Sequence, residues 1–530
     1  MPNRNPTDLS RRDWLKAAAA LGLAAPGALF SAPRAEGGEA SGQGVIDLGS
    51  RRELFVDDFL IDKLTGEARL RLHHPTPREV AIVHDAPWEG SSSGYHTVLK
   101  DGDLYRMYHR GSHLEVTKGK LDSGRHEPFY CYAESEDGIH WKKPELGLVE
   151  FEGSKKKNNI LLKGLGTHNF APFKDDNPDC PPEARFKALA GLKSEGGLFA
   201  FQSADGIHWS LLTPEPVITN GAFDSQNLAF WDPTLKKYRA YWRTFTAGVT
   251  TAENWTPSGY RAVRTGTSSD FLHWGEEADL TYVDSPDQHL YTNQVGPYYR
   301  APHILIGLPT LYVERGWSDS MRALPDPENR ELRASAHLRY GTAITEGLLM
   351  ASRDGVRFKR WNEAFLRPGI QRPGTWQYGQ QYIAWHVVET KSSVPGAPNE
   401  LSLYATEDYW HGKGGTLRRY TLRLDGFVSA SAPMKGGELI SRPITFDGSK
   451  LVLNFATSAA GSVRVEIQDP GGAAIAGYAL ADCPDVFGDT IERVVTWTNG
   501  ADVSALAGRP VKLRFHLKDA DLYSFRFQSG

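Results

Sequence analysis

From about residue 95 the chain is built of short runs in which apolar and polar side chains alternate, and no window sustains a 3.6-residue period. Tyr95 to Leu99 reads as a strand, Asp101-Gly102-Asp103 as a tight turn, Leu104 to Tyr108 as a second strand and Phe129 to Ala133 as a third. The same order returns with Asn227 to Trp231, the turn at Asp232-Pro233, Tyr238 to Trp242 and Tyr260 to Thr265. Helices are therefore expected to be few.

One turn recurs through this pattern. Ser135-Glu136-Asp137-Gly138-Ile139-His140-Trp141 is repeated as Ser203-Ala204-Asp205-Gly206-Ile207-His208-Trp209, as Ser268-Ser269-Asp270-Phe271-Leu272-His273-Trp274 and as Ser352-Arg353-Asp354-Gly355-Val356-Arg357-Phe358. A degenerate fifth copy is Thr406-Glu407-Asp408-Tyr409-Trp410. The spacing suits one four-stranded sheet per copy, which predicts an all-β chain with a five-bladed β-propeller. The expected blades are 80–150, 158–215, 217–280, 288–362 and 365–427, with Glu53 to Ile61 pairing against the last as a closing strand. Beyond 427 the repeat stops. Leu451 to Phe455, Ser462 to Ile467, Arg493 to Trp497, Val511 to Leu517 and Tyr523 to Phe527 have the spacing of a β-sandwich. The predicted division is thus a propeller over 45–427 and a sandwich over 428–530.

Composition narrows the partners. A net charge of −4 without a long basic run argues against nucleic acid. Three distant cysteines, Cys131, Cys180 and Cys483, form neither a disulfide framework nor a zinc motif. Residues 1–40 read as an export signal and linker: Ser10-Arg11-Arg12-Asp13-Trp14-Leu15-Lys16 is similar to a twin-arginine motif, and the apolar stretch Ala17 to Phe30 is too short to span a bilayer. The expected location is periplasmic or secreted, without membrane insertion after cleavage.

The chemistry is expected where the inner strands meet at a central channel. Aromatic rings stack on the apolar face of a sugar, and amides, imidazoles and guanidinium groups bond its hydroxyls. Residues of these types near the inferred inner strands are Tyr95, His96, His168, Gln226, Asn227, Asn293, Arg300, His303 and Tyr378, which are the predicted carbohydrate contacts. Cleaving a glycosidic bond by the common route takes two carboxyl groups. Asp224 leads the candidates, followed by Glu89 and by Glu134 ahead of the first Asp-Gly turn. The repeated Asp residues and His140, His208 and His273 recur at fixed places and are read as architecture. His109, His113, His126 and the pair His73-His74 lack metal-ligand spacing, so neither a metal nor another cofactor is expected.

The Ser-x-Asp-Gly-x-x-Trp turns and the inner-strand aromatics resemble the five-bladed propeller glycoside hydrolases of the invertase/fructosidase and arabinanase/xylosidase groups, over roughly residues 50–427. The resemblance implies an exported glycoside hydrolase acting on a poly- or oligosaccharide. Its catalytic motifs do not carry over: no Trp-x-Asn-Asp-Pro-Asn-Gly stretch exists, and Arg261-Ala262-Val263 lacks the Asp of an Arg-Asp-Pro motif. A non-catalytic carbohydrate-binding propeller remains the alternative, as does a lyase or phosphorylase using His96 or His303.

Overall fold

The structure is a computed structural model that describes residues 44–250, 255–412 and 414–529. The export signal expected over 1–40 lies outside them. Among the described residues no helix is long and apolar enough to cross a membrane.

Five antiparallel sheets form the propeller. From the channel outward, blade one runs Gly94–Asp101, Leu104–Gly111, Phe129–Ser135 and Ile160–Lys163, and blade two Ala171–Lys174, Phe186–Ala190, Phe199–Ser203 and Ser210–Leu211. Blade three runs Leu228–Asp232, Lys237–Thr250, Trp255–Ser268 and Gly275–Asp279. Blade four runs Gly296–Tyr298, Ala301–Gly307, Met350–Ser352 and Arg357–Arg360, with Thr281–Val283 parallel to its outer edge. Its second strand continues as Thr310–Glu314 in a small sheet with His289–Leu290 and Ala343–Gly347. Blade five runs Val388–Thr390, Glu400–Glu407 and Thr416–Arg423.

The repeated turn explains why the sequence folds this way. Asp137 Oδ1 accepts the backbone N–H groups of Ile139 and His140 at 2.8 Å each, its other oxygen meets His140 Nδ1 at 2.7 Å, and Ser135 Oγ accepts the N–H of Gly138. Asp205, Asp270 and Asp354 take the corresponding two N–H groups in their own turns. The turn glycine also serves the neighbouring blade. Tyr404 of blade five donates to the carbonyl of Gly138, Tyr108 of blade one to that of Gly206 at 3.0 Å, and Tyr241 of blade three to that of Gly355 at 2.8 Å. Each of these tyrosines lies on a second strand, so the turn and the tyrosine staple successive blades.

Three expectations need correction. The closing strand of blade five is Thr76–Val83, paired with Thr416–Arg423, not Glu53 to Ile61. It is an outermost strand, exposed on most positions and tolerant of Pro77 at its free edge, so it lacks the alternation of a half-buried strand. Ile160–Lys163 closes blade one rather than opening blade two. Finally, Ile46–Asp47, Glu53–Leu54, Ile61–Gly66 and Arg69–Leu72 belong to the sandwich, where they pair with Ile444–Thr445, Lys512–Gln528, Gly437–Ser441 and Val428–Ala432.

The sandwich is therefore sewn from both sides of the propeller sequence. Two long strands, Lys450–Gln468 and Lys512–Gln528, pair along their length and change register between Thr457 and Ser462, which lets one ribbon serve both layers. Phe55, Leu439, Phe455, Val465, Trp497, Phe515 and Phe525 fill its core. Where it meets the propeller, Asp425 is buried and accepts from Arg52, Arg300, Ser524, Tyr298 and Asn454.

Candidate active site

The starts of the inner strands converge on one mouth of the channel. In four blades a residue at that start or in the segment leading into it sits in the left-handed region without being glycine: Tyr95 (φ 53°), Phe223 (φ 53°), Gln294 (φ 47°) and Gln381 (φ 61°). Such positions cost about 1–3 kcal/mol each and persist where surrounding structure enforces them, commonly at ligand sites. Below them amides plug the channel. Gln294 donates to Gln226 Oε1 and to the Ile383 carbonyl, both at 2.8 Å, and Gln226 donates to Thr97 Oγ1 at 3.0 Å. That chain ties blades one, three, four and five across the axis.

Asp224 stands above this plug. Its side chain is 58% exposed, and Oδ1 accepts from Arg243 Nη1 at 2.8 Å, whose own side chain is only 1% exposed. Arg243 also donates to the carbonyl of Tyr291 and lies 4.9 Å from that ring. Tyr95 donates to the Asp224 carbonyl at 3.3 Å and carries the Arg110 guanidinium 4.7 Å from its ring centre. Arg110 in turn donates to the Ser92 carbonyl at 2.9 Å and to Tyr409 at 3.3 Å, and reaches His168. Tyr291 stacks on Tyr382 and accepts from the Tyr378 hydroxyl at 2.9 Å. Burial and the Arg110 charge push His168 down to about 3, so its imidazole is neutral. Burial drives the Tyr95 and Tyr378 hydroxyls well above their ordinary range, and both stay protonated.

Insertions wall the mouth. Blade four carries the helix Pro327–Ala336, whose Arg333 donates to Gln377 Oε1 at 2.7 Å and to the Tyr378 carbonyl at 3.1 Å. Gly119, in the blade-one hairpin Glu115–Asp122, donates to Ser335 of that helix at 2.9 Å. At the far end of the channel a cavity of about 700 Å³ is lined by Phe230, Trp231, Tyr299, Trp385 and Glu389.

Of the predicted residues, Asp224, Tyr95, His168 and Tyr378 meet at the mouth, with Gln226 in the plug beneath. Asn227 shapes the loop that presents Asp224: it donates to the carbonyls of Phe223 and Ser225 and accepts the N–H of Arg243. Asn293 caps the N–H of Val295 and is buried. Arg300 and His303 lie elsewhere. The inner strand of blade four begins at Gly296, so Tyr299-Arg300 is the turn at its other end. There Arg300 pairs with Asp425 at 2.8 Å and His303 with Glu53 at 3.0 Å.

The proposed carboxylate partners of Asp224 are also displaced. Glu134 is half-buried on the third strand of blade one, where it accepts from Tyr132 at 3.2 Å. Glu89 and His96 are buried on the face of blade one that meets blade five, with His84 and His109. Burial opposes ionisation of Glu89, but the hydrogen bond from His109 and the nearby His84 imidazole outweigh it and hold the carboxyl well below its usual range. Alternation explains the sorting: Tyr108 and Arg110 point toward blade two, and His109 between them points the other way.

Arg110, Arg243, Tyr291, Tyr382 and Tyr409 complete the mouth and are absent from the predicted set. A signal for the two arginines exists in Tyr108-His109-Arg110 and Tyr241-Trp242-Arg243. In both, the tyrosine staples to the next blade's turn and the arginine two places on reaches the mouth.

No protein-family model and no curated protein matches the chain. Among solved structures, it is similar to an N-acetylgalactosamine deacetylase from F. plautii in complex with blood group B trisaccharide (13% identity, 66% of this chain, 95% of that one, TM-score 0.39). It is also similar to the catalytic domain of the Coprinopsis cinerea GH62 α-L-arabinofuranosidase (8% identity, 66% and 99%, TM-score 0.38). A third is the β-1,2-mannobiose phosphorylase of Listeria innocua (11% identity, 66% and 96%, TM-score 0.35). The fold class is that of the five-bladed β-propellers, joined here to a β-sandwich.

Proposed function

We propose that the channel mouth binds a poly- or oligosaccharide and that Asp224 is its reacting carboxylate in an exported glycan-active enzyme. One observation carries the reading: an exposed carboxylate, fixed by a buried guanidinium, stands amid tyrosine rings and a neutral imidazole. The half-buried Tyr291 offers ring surface to a sugar, the buried Tyr95 holds the Asp224 carbonyl in place, and His168 offers a hydrogen bond that survives at acid pH. Arg243 fixes the orientation of Asp224, a benefit worth most where a reacting atom must be met within a few tenths of an ångström.

The reaction class we favour is glycoside hydrolysis, with Asp224 taking a proton from the water that attacks the anomeric carbon and the departing glycosidic oxygen taking one from solvent at the open mouth. Phosphorolysis is the second reading, and a specific observation favours it: Asp224 is the one member of the predicted carboxylate set that reaches the mouth, beside Arg243 and Arg110. A phosphate nucleophile brings its own negatively charged oxygen, so a single protein carboxyl suffices for proton transfer, whereas the common hydrolytic routes use two. Calorimetric titration of the mature chain with oligosaccharides tests the shared premise. Binding that weakens at least tenfold in Tyr95→Ala and Tyr291→Ala places the sugar at this mouth, and binding indifferent to both removes it.

A further inference from the structure

Behind blade one's inner strand, sealed from the mouth, lies a cluster that the propeller architecture does not explain. His84 ends the closing strand of blade five, Glu89 lies in the connection to blade one, and His96 and His109 occupy adjacent strands of blade one. All four are buried. One ligand atom each from His84, Glu89 and His109 lies within 4.8 Å of the other two. Glu89 Oε1 accepts from His109 Nε2 at 2.9 Å and stands 3.6 Å from His84 Nδ1, a nitrogen with no hydrogen-bond partner. Burying an imidazole nitrogen unpaired opposite a carboxylate is costly, and a shared cation satisfies both.

The surroundings are those of a built site. His84 Nε2 meets His96 Nε2 at 2.9 Å, which fixes the ring that would present Nδ1. The second carboxylate oxygen, Glu89 Oε2, is held by Lys143 Nζ at 2.6 Å and by the N–H of Ala86 at 3.2 Å, leaving Oε1 to the histidines. Lys143 also faces Asp85 at 3.5 Å, toward solvent, so its charge is shared outside the pocket. Metal-binding groups ordinarily have their outer atoms anchored in this manner, as those of His84 and Glu89 are, while the outer nitrogen of His109, Nδ1, has no hydrogen-bond partner.

We propose that His84, Glu89 and His109 bind a divalent first-row transition cation, Zn²⁺ by their chemistry, with His96 positioning His84. Two imidazoles and a carboxylate are a ligand set that Zn²⁺ takes, and tetrahedral bonds of about 2.0–2.2 Å set ligand atoms about 3.4 Å apart. Glu89 Oε1 and His109 Nε2 would therefore part from 2.9 Å as the proton between them leaves, while His84 Nδ1 stays near its 3.6 Å from Glu89. Because the ligands come from the closing strand, the connection and blade one, the ion would staple blade one to blade five. The ligands have no short spacing in sequence; the closing strand of blade five, the connection that carries Glu89 and the second strand of blade one bring them together.

The test is titration of the chelator-treated full chain with Zn²⁺ and Co²⁺. The expected result is uptake of one ion per chain, a rise in melting temperature, and visible Co²⁺ bands of a four-coordinate site. Uptake should be lost in Glu89→Gln and in His109→Gln. Since either variant removes a buried partner and risks misfolding, X-ray absorption of the Zn²⁺-loaded unaltered chain supplies an independent readout, with two imidazoles expected among the ligands. No stoichiometric uptake, uptake that survives in both folded variants, or a spectrum without imidazole ligands overturns the proposal.

Discussion

Arg243 and Asp224 meet at 2.8 Å across a boundary between protein and solvent: the guanidinium is 1% exposed and the carboxylate 58%. A buried cation thus aims an exposed anion, and the pair contributes geometry more than stability. Arg243→Lys keeps the charge and loses the planar fork that reaches Asp224 and Tyr291 together. We expect turnover to fall by about tenfold to a hundredfold while the fold survives, as checked by kinetics beside a thermal melt. Unchanged turnover would mean that the orientation of Asp224 is irrelevant to the chemistry.

Glu53 makes stability pH-dependent. Burial opposes its ionisation, but the hydrogen bond from His303 and the Arg353 charge outweigh it and bring its carboxyl down to about 2. A folded-state value below the unfolded one stabilises the protein above the unfolded value of 4.5, and that stability drains away as pH falls toward 2. The contribution is about 3 kcal/mol at neutral pH. Denaturant melts from pH 7 to pH 2 should show this loss, and Glu53→Gln should flatten it while lowering stability at pH 7. An equally steep profile in the variant would place the acid sensitivity elsewhere.

Asp425 locks the sandwich to the propeller. Its two oxygens receive Arg52 and Arg300, both largely buried, and Asp425→Asn leaves them only the 39% exposed carboxylate of Glu492, 2.7 Å from Arg52 and 3.8 Å from Arg300. Breaking a buried pair from one side costs about 3–5 kcal/mol. The variant should melt well below the parent, while substrate affinity at 25 °C stays within a factor of two because the mouth lies at the other end of blade four's inner strand. A lost affinity would indicate coupling between the joint and the mouth.

The turn aspartates should behave alike and differently from Asp224. Asp137→Ala and Asp205→Ala each remove two backbone hydrogen bonds from a surface turn. Each should cost about 1–2 kcal/mol with activity unchanged, measured as paired melts and rates. Activity lost in either one would contradict a purely architectural role.

What was legible in the sequence was local. The Asp turns and the alternation of strands such as Leu104–Gly111 carry their own signal, because each bonds within a few residues of itself. What was not legible was decided by distant partners. Thr76–Val83 shows no alternation because solvent covers most of it, and Glu53–Leu54 takes its identity from Phe525 and Ser524 at the far end of the chain. Arg300 and His303 were misplaced by one strand length, since their polarity suits either end of a blade. Glu89 reads as an acid before an inner strand, yet only three-dimensional register shows that it faces histidines rather than the channel.

The central claim is that Asp224 reacts at the propeller mouth. The most direct measurement is reducing-sugar release from a panel of polysaccharides and oligosaccharides, with and without phosphate, by the mature chain and by Asp224→Asn. Asp224→Asn keeps a side-chain carbonyl to accept from Arg243 but loses the carboxylate paired with that buried guanidinium, so a melt run alongside separates loss of fold from loss of chemistry. We predict release by the parent that falls at least a hundredfold in the variant, with phosphate dependence separating phosphorolysis from hydrolysis. Release undiminished in Asp224→Asn, or no release from any substrate by the parent, would contradict the account.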